Sequence, residues 1–434
     1  MHIKKHLSFT ALTNYLSEFF QGIQDCRQVG KVRHSLHDVI MSSFAMMFFQ
    51  DPSILSFQQR MQEVGNQSNL SNLFGVTSIP KDTQMREVLD TVPTNAFADV
   101  FPAILNRLQR GRQLEQYQFI EQKYLMPIDG SEYFTSEKLH CPHCLKTKPR
   151  KGPVRYHHQI LQAVIVHPDL RQVLPLFPEA IQNEDGNEKQ DCEVNAGKRM
   201  VKKIRESHPK MPIIIAGDGL YSKQPFINAL KENDMSYILV AKASDHKILF
   251  EWADEIVAMG EAENLERTDE KGRRHKYQWI NDIPLNGTQG ADQVNFFQYW
   301  LINKNGKTTY HNSWVTDLPI CGNNVAKLVK GGRARWKIEN ETFNTLKNQG
   351  YHIEHNYGHG NQYLSMNFFV LNLLAFFIHQ ILDLGDSPYQ RCRSRFSSRK
   401  EFWNQLRYAF RLILFRDFYH LVNYVFHPPL VRAP

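Results

Sequence analysis

Pro212-Ile213-Ile214-Ile215-Ala216-Gly217-Asp218-Gly219 is the stretch that decides the fold. Its isoleucines favour extended backbone. A strand with no polar side is one covered on both faces, as in parallel sheets. Pro212 begins it, and two glycines bracket the carboxylate that ends it. Beyond it, Ser222-Lys223-Gln224-Pro225 opens a helical run, Phe226-Ile227-Asn228-Ala229-Leu230-Lys231. An acid at the C-terminal end of a central strand lies where open α/β sheets place ligand chemistry. One acid in such a turn is ordinary. Chemistry there requires partner acids.

Upstream, Tyr124-Leu125-Met126-Pro127-Ile128-Asp129-Gly130 also ends in an aspartate. Residues 158–166 and 172–176 are β-rich and separated by the turn His167-Pro168-Asp169. A helix is expected over about 190–206, carrying Val194, Met200, Val201 and Ile204. The central strand, the helix after it and a strand over 237–241 follow. Three strands, then helix, strand, helix, strand, is the order of an RNase H-like α/β core, with parallel crossovers where helices separate strands.

From Lys242 the chain turns polar and β-rich, with strands expected at 295–302 and 311–316. This reads as an inserted subdomain at about 243–322. The core resumes with a helix from about 323 to 349, on which Trp336 and Phe343 are expected to point inward, and an apolar helix follows at 366–382. Residues 1–120 read as a helical N-terminal domain. Helical spacing runs over 35–49, and Asp82 is the expected N-cap of a second helix. Arg27, Lys31, Arg33, His34, Lys81 and Arg86 fit either a DNA-binding face or a solvated one. Residues 385–434 form a basic helical tail with Arg391, Arg393, Arg395, Arg399 and Lys400.

With 434 residues, 42% apolar and 22% charged, the chain can bury a sizeable core. A net charge of +8 is compatible with a polyanionic partner. Six cysteines without a disulfide pattern point to a reducing, cytoplasmic setting. The apolar stretch 368–378 is far shorter than the ~20 residues a bilayer requires, so a membrane partner is not expected.

Three acids line up: Asp129, Asp218 and Glu339, the last in the helix after the insertion. In an RNase H-like core these positions meet at one edge of the sheet. Carboxylates held together repel unless cations lie between them, and hard oxygen ligands suit Mg2+ or Mn2+. Two ions per site would serve an in-line phosphoryl displacement.

Asp129-Gly130-Ser131, Gly217-Asp218-Gly219-Leu220-Tyr221 and Arg335-Trp336-Lys337-Ile338-Glu339-Asn340 resemble the three acidic motifs of insertion-sequence transposases of the DDE superfamily. The resemblance spans about 124–384, and the segment 79–86 with Leu89-Asp90 is similar to that group too. It implies an enzyme that cuts the ends of its mobile element and joins the 3′-OH ends to target DNA. Double-stranded DNA would be its partner and a homodimer its working form. The group's arginine and lysine near the last acid fall on Arg335 and Lys347, as DNA-binding residues. Gly332 stands where that group carries a tyrosine. Lys347 lies one residue beyond the usual spacing, which leaves Glu341 as an alternative to Glu339. Other readings are an RNase H-like nuclease without strand transfer and a domesticated DNA-binding protein with an inert core.

Cys141-Pro142-His143-Cys144 has the spacing of half a structural zinc site, which His140, His157, His158 or Cys192 would complete. No second Cys-x-x-Cys follows, so the plainer expectation is a turn holding reduced cysteines. The run Lys146, Lys148, Arg150, Lys151 and Arg155 comes next, either against DNA phosphate or in solvent.

Overall fold

The computed structural model describes residues 5–61, 64–182 and 191–429. Its first third is helical: α1 (Phe9–Gln21), α2 (Leu36–Phe48), α3 (Ile54–Met61), α4 (Val64–Phe74), α5 (Asp82–Asp90) and α6 (Val100–Arg110). Then come β1 (Tyr124–Ser136), β2 (Leu145–Thr147), β3 (Arg155–Ile165), β4 (Leu174–Pro175) and β5 (Glu179–Ile181). Helix and strand alternate through α7 (Glu193–Ser207), β6 (Ile213–Gly217), α8 (Gln224–Glu232) and β7 (Ser236–Val240). Helix α9 (Lys247–Ala258) leads to β8 (Glu263–Thr268), β9 (Arg274–Pro284), β10 (Gln293–Ile302) and β11 (Thr308–Thr316). The last elements are α10 (Val325–Ala334), a π-helical turn (Ile338–Phe343), α11 (Asn344–Asn348), α12 (Leu364–Gly385), α13 (Ser387–Ser394), α14 (Arg399–Leu412) and α15 (Phe418–Phe426). The expected start of α7, residue 190, lies outside the described residues.

The architecture is α/β with a mixed, eleven-stranded sheet and a helical N-terminal region. Along the sheet the order is β2-β3-β1-β6-β7-β11-β10-β9-β8, with β4 and β5 also on β3. Strand β6 is parallel to β1 on one side and β7 on the other, and the remaining pairs are antiparallel. Every residue of β6 is buried, as its apolar run requires. The strands of the segment read as an insertion lie in the same sheet as the core strands. These four strands continue it because β11 pairs with β7, Trp314 opposite Val240. Helix α9, which buries Leu249 and Ala253, was hidden by the polar character of its neighbourhood.

Helix α2 is buried almost all round, and the Ser35 hydroxyl caps it by accepting from Asp38 N at 3.0 Å. It packs against α12, α1, α5 and α4. Helix α12 has the length and composition of a membrane span, yet 83% of its apolar window is buried, so it is the core helix. Asp82 does not cap α5. Lys81 holds that position with no side-chain bond, and Asp82 pairs instead with Arg86 one turn on, at 3.3 Å.

Several cations expected at a surface brace the fold. Arg86 Nε donates to Tyr357 O at 2.8 Å, and Arg27 pairs with Asp25 at 2.6 Å. Arg399 pairs with Asp383 at 2.7 Å, with both side chains largely buried. The C-terminal helices are fastened to α4 by Asn69, whose amide donates to Phe410 O and Ile413 O and accepts from Phe415 N.

Asp90, the last residue of α5, accepts four backbone N–H bonds at the start of α12. Its Oδ1 takes Gln362, Tyr363 and Leu364 at 2.9–3.0 Å, and its Oδ2 takes Asn361 at 2.8 Å. The first turn of a helix leaves such donors without partners, and an acid there also meets the positive end of the dipole. Burial pushes the Asp90 carboxyl up, but these bonds outweigh it and hold the group below the usual range. A lowered folded value contributes stability above the unfolded pKa near 3.9, and that contribution is lost as pH falls through the folded value. Asp90→Ala should therefore cost about 1–2 kcal/mol in urea unfolding at neutral pH. The difference from wild type should shrink as pH falls below the unfolded value near 3.9 and through the lower folded one. An unchanged midpoint at neutral pH would show that the four bonds do not hold α12.

Candidate active site

The parallel register of β1 and β6 ends at Pro127 opposite Ala216. Two residues further along each strand stand Asp129 and Asp218. The pairing therefore sets the two aspartates beside each other just past the last paired residues. There β1 keeps its other neighbour, with Asp129 opposite Gln162 of β3. Asp218 accepts from Leu220 N at 2.9 Å, which fixes the turn out of β6.

Helix α10 brings the third acid. A Cβ on Gly331 would lie 3.0 Å from Ile238 Cδ1, and one on Gly332 would lie 2.5 Å from Trp314 Nε1. The helix can thus lie close on β7 and β11, and the Trp314 indole fills the space a tyrosine at 332 would need. Arg335 reaches out from the end of α10. Its Nη1 is 3.5 Å from Asp129 Oδ2, and its Nη2 donates to Glu339 Oε1 at 2.7 Å.

The expected uninterrupted helix over 323–349 is broken here. Regular α geometry stops at Ala334 and resumes at Asn344 after the π-helical turn, so phasing by 3.6 residues does not carry through. Trp336 is accordingly 48% exposed instead of inward, while Phe343 is buried. Glu341 points to Arg171, with Nε to Oε2 at 3.6 Å. Lys347 does not reach the acids and pairs with Glu354 at 2.9 Å.

A fourth carboxylate joins the group that sequence reasoning did not single out. Glu193 is the first residue of α7 and accepts from Gln159 Nε2 at 2.6 Å and from Tyr221 Oη at 3.3 Å. A Cβ on Gly130 would collide with its carboxylate, so the glycine after Asp129 leaves room for Glu193. By sequence it reads only as an acid complementing a helix dipole. Its place beside β1 follows from the sheet order.

The four acids act on one another electrically. Burial is the largest influence on Asp129 and raises its pKa. Arg335 opposes this, while Glu339, Glu193 and Asp218 add to it, and the carboxyl is pushed up to about 7. Glu193 is likewise raised, by burial first and then by Asp218. Four hard oxygen donors against one guanidinium are a set short of positive charge, which fits a divalent cation such as Mg2+ or Mn2+.

The carboxylates are gathered but not closed on a point. Among the described residues, the group whose ligand atoms all lie within 4.8 Å of one another is Cys141, Cys144, His158 and His359. Of the partners considered for the cysteines, His158 lies with them. His140 stacks on Tyr156, His157 faces Glu132 at 3.7 Å, and Cys192 is exposed. His359 comes from 215 residues after Cys144, where no spacing rule reaches. The basic residues Lys146, Lys148, Arg150, Lys151 and Arg155, beside this cluster, are all exposed. No protein-family model matches the chain, and no curated protein matches it either.

In cation-free protein the Asp129 carboxyl should titrate near 7, followed by carbon-13 NMR of labelled carboxyls. Asp218→Asn removes a negative neighbour and should lower that value, and Arg335→Gln should raise it. A folded value above the unfolded ~3.9 favours folding at low pH, so this group's contribution is lost as pH rises from about 4 to 7. A titration near 4, indifferent to both substitutions, would mean that the acids do not share a site.

Proposed function

We propose that this chain is a DNA transposase of the DDE type with an RNase H-like core, cleaving the ends of its element and transferring the 3′-OH ends to target DNA. The observation that carries the reading is the register that sets Asp129 beside Asp218, with Arg335 bridging Asp129 to Glu339. The run β5-β3-β1-β6-β7, antiparallel then parallel, supports the core assignment. So does the position of Glu339 after the strands that extend the sheet.

Asp129, Asp218 and Glu339 would hold one or two Mg2+ or Mn2+ ions, which when bound supply Lewis acidity toward a phosphodiester and its attacking oxygen. The chain's own groups do the rest. Asp129 and Asp218 come from adjacent strands, so their spacing is fixed by the backbone ladder. Arg335 presents a planar donor pair suited to a phosphate oxygen. Glu193 is held by Gln159 and Tyr221 and stiffens the rim on the side of α7. The exposed cations at 146–155 would neutralise phosphates along the duplex. Because two DNA ends must be held at once, the working form in this proposal is a homodimer.

The test is Mg2+-dependent cleavage of a labelled duplex carrying the inverted repeats that flank the open reading frame. Asp218→Asn and Glu339→Gln should lose more than the roughly 100-fold that removal of an outer partner costs, with DNA binding retained. Glu341→Gln should stay within about tenfold, since that side chain faces Arg171. Full cleavage by Asp218→Asn would sink the assignment, and cleavage without strand joining would make the enzyme a nuclease.

A further inference from the structure

We propose that Cys141, Cys144, His158 and His359 hold a structural zinc ion that clamps the loop before α12 to the β1–β3 hairpin. This inference stands apart from the proposed reaction and uses none of its residues. The four ligand atoms form a closed set. Cys141 Sγ is 3.8 Å from Cys144 Sγ and 3.5 Å from His158 Nε2, and Cys144 Sγ is 3.5 Å from His158 Nε2 and 3.6 Å from His359 Nε2. A tetrahedral ion with Zn–S near 2.3 Å and Zn–N near 2.0–2.1 Å sets its sulfurs about 3.8 Å apart and each sulfur about 3.5 Å from a nitrogen. The observed separations have these values. Sulfurs 3.8 Å apart are far outside the ~2.05 Å of a disulfide.

The local backbone also suits a metal. Cys144 N donates to Cys141 O at 3.2 Å, and Cys141 N points at Cys144 Sγ at 3.4 Å. That tight turn aims both sulfurs the same way. His359 stands between Gly358 and Gly360, both at positive φ, where a side chain would strain the backbone. Its Nδ1 is buried and finds no hydrogen-bond partner among the described residues, so no bond from them to that nitrogen orients the ring. Ligation through Nε2 would. Two thiolates and two imidazoles with no open position make a structural site, not a catalytic one.

The clamp joins two parts of the fold. Cys141, Cys144 and His158 belong to the hairpin, while His359 belongs to the loop that Asp90 and Arg86 of α5 fasten to the helical layer. Removing the ion should loosen the loop from the sheet while leaving its bonds to α5 in place.

Full-length protein purified without chelators should contain about one zinc per chain. His359→Ala and Cys144→Ser should lose it, and Cys192→Ser, outside the cluster, should keep it. Because ligand variants can fail to fold, wild-type protein stripped by a chelator provides the second measurement. Cobalt(II) added to it should give the intense visible bands of a tetrahedral thiolate site. Stripping should also make the chain at 350–363 several-fold more sensitive to protease, reversed by zinc. Absence of zinc together with no cobalt bands would overturn the site. Zinc retained by a folded His359→Ala would remove His359 from it, and protease sensitivity unchanged by stripping would overturn the clamp.

Discussion

The pairing of β1 with different partners on its two sides is the constraint on which the rest of the site depends. Over its first residues β1 runs parallel to β6, and from Ile128 it is zipped antiparallel to β3. Where the parallel ladder stops, β1 goes on and β6 turns away into α8. Asp129 and Asp218 occupy the corner left by that divergence. A slip of one residue would send the aspartate to the opposite face.

Charge is the second constraint, and the fold only partly satisfies it. Asp129 is desolvated and faces three other acids, while a single guanidinium spans it and Glu339. Folding holds these like charges together through neighbours that have their own reasons to be there. The β-ladder fixes the aspartates, the Gly331-Gly332 approach fixes Arg335, and the Gln159 and Tyr221 bonds fix Glu193. Such crowding of ionisable groups with displaced pKa values is characteristic of functional sites. Among the described residues, the carboxylates that Arg335 pairs with are Asp129 and Glu339.

Much of this was legible in the sequence because apolar runs bounded by turn residues are local signals. The Ile213–Gly217 strand, the helix after it and the apolar α12 were all readable on those grounds. What could not be read depended on contacts between distant segments. The insertion reads as a separate unit until the pairing of β11 with β7 is known. α-Helical phasing turns Trp336 inward, but the π-helical turn breaks that phase and leaves it exposed. Glu193 and His359 carry no local signature, since each acquires its neighbours from strands or loops far along the chain. Arg86 and Arg399 looked like surface cations because composition cannot distinguish a solvated arginine from one that ties two segments.

The central claim of the proposed function is that Asp129, Asp218 and Glu339, with Glu193 at their rim, would hold a cation whose affinity is coupled to the proton on Asp129. Calorimetric titration of Mn2+ into the protein, at about pH 6 and in buffers of differing ionisation enthalpy, tests it most directly. The expected result is saturable binding that releases close to one proton per site, with the release fading above about pH 8. Asp129→Asn should lose the proton release and most of the affinity. Binding with no proton released, or equal binding by wild type and Asp129→Asn, would contradict the claim.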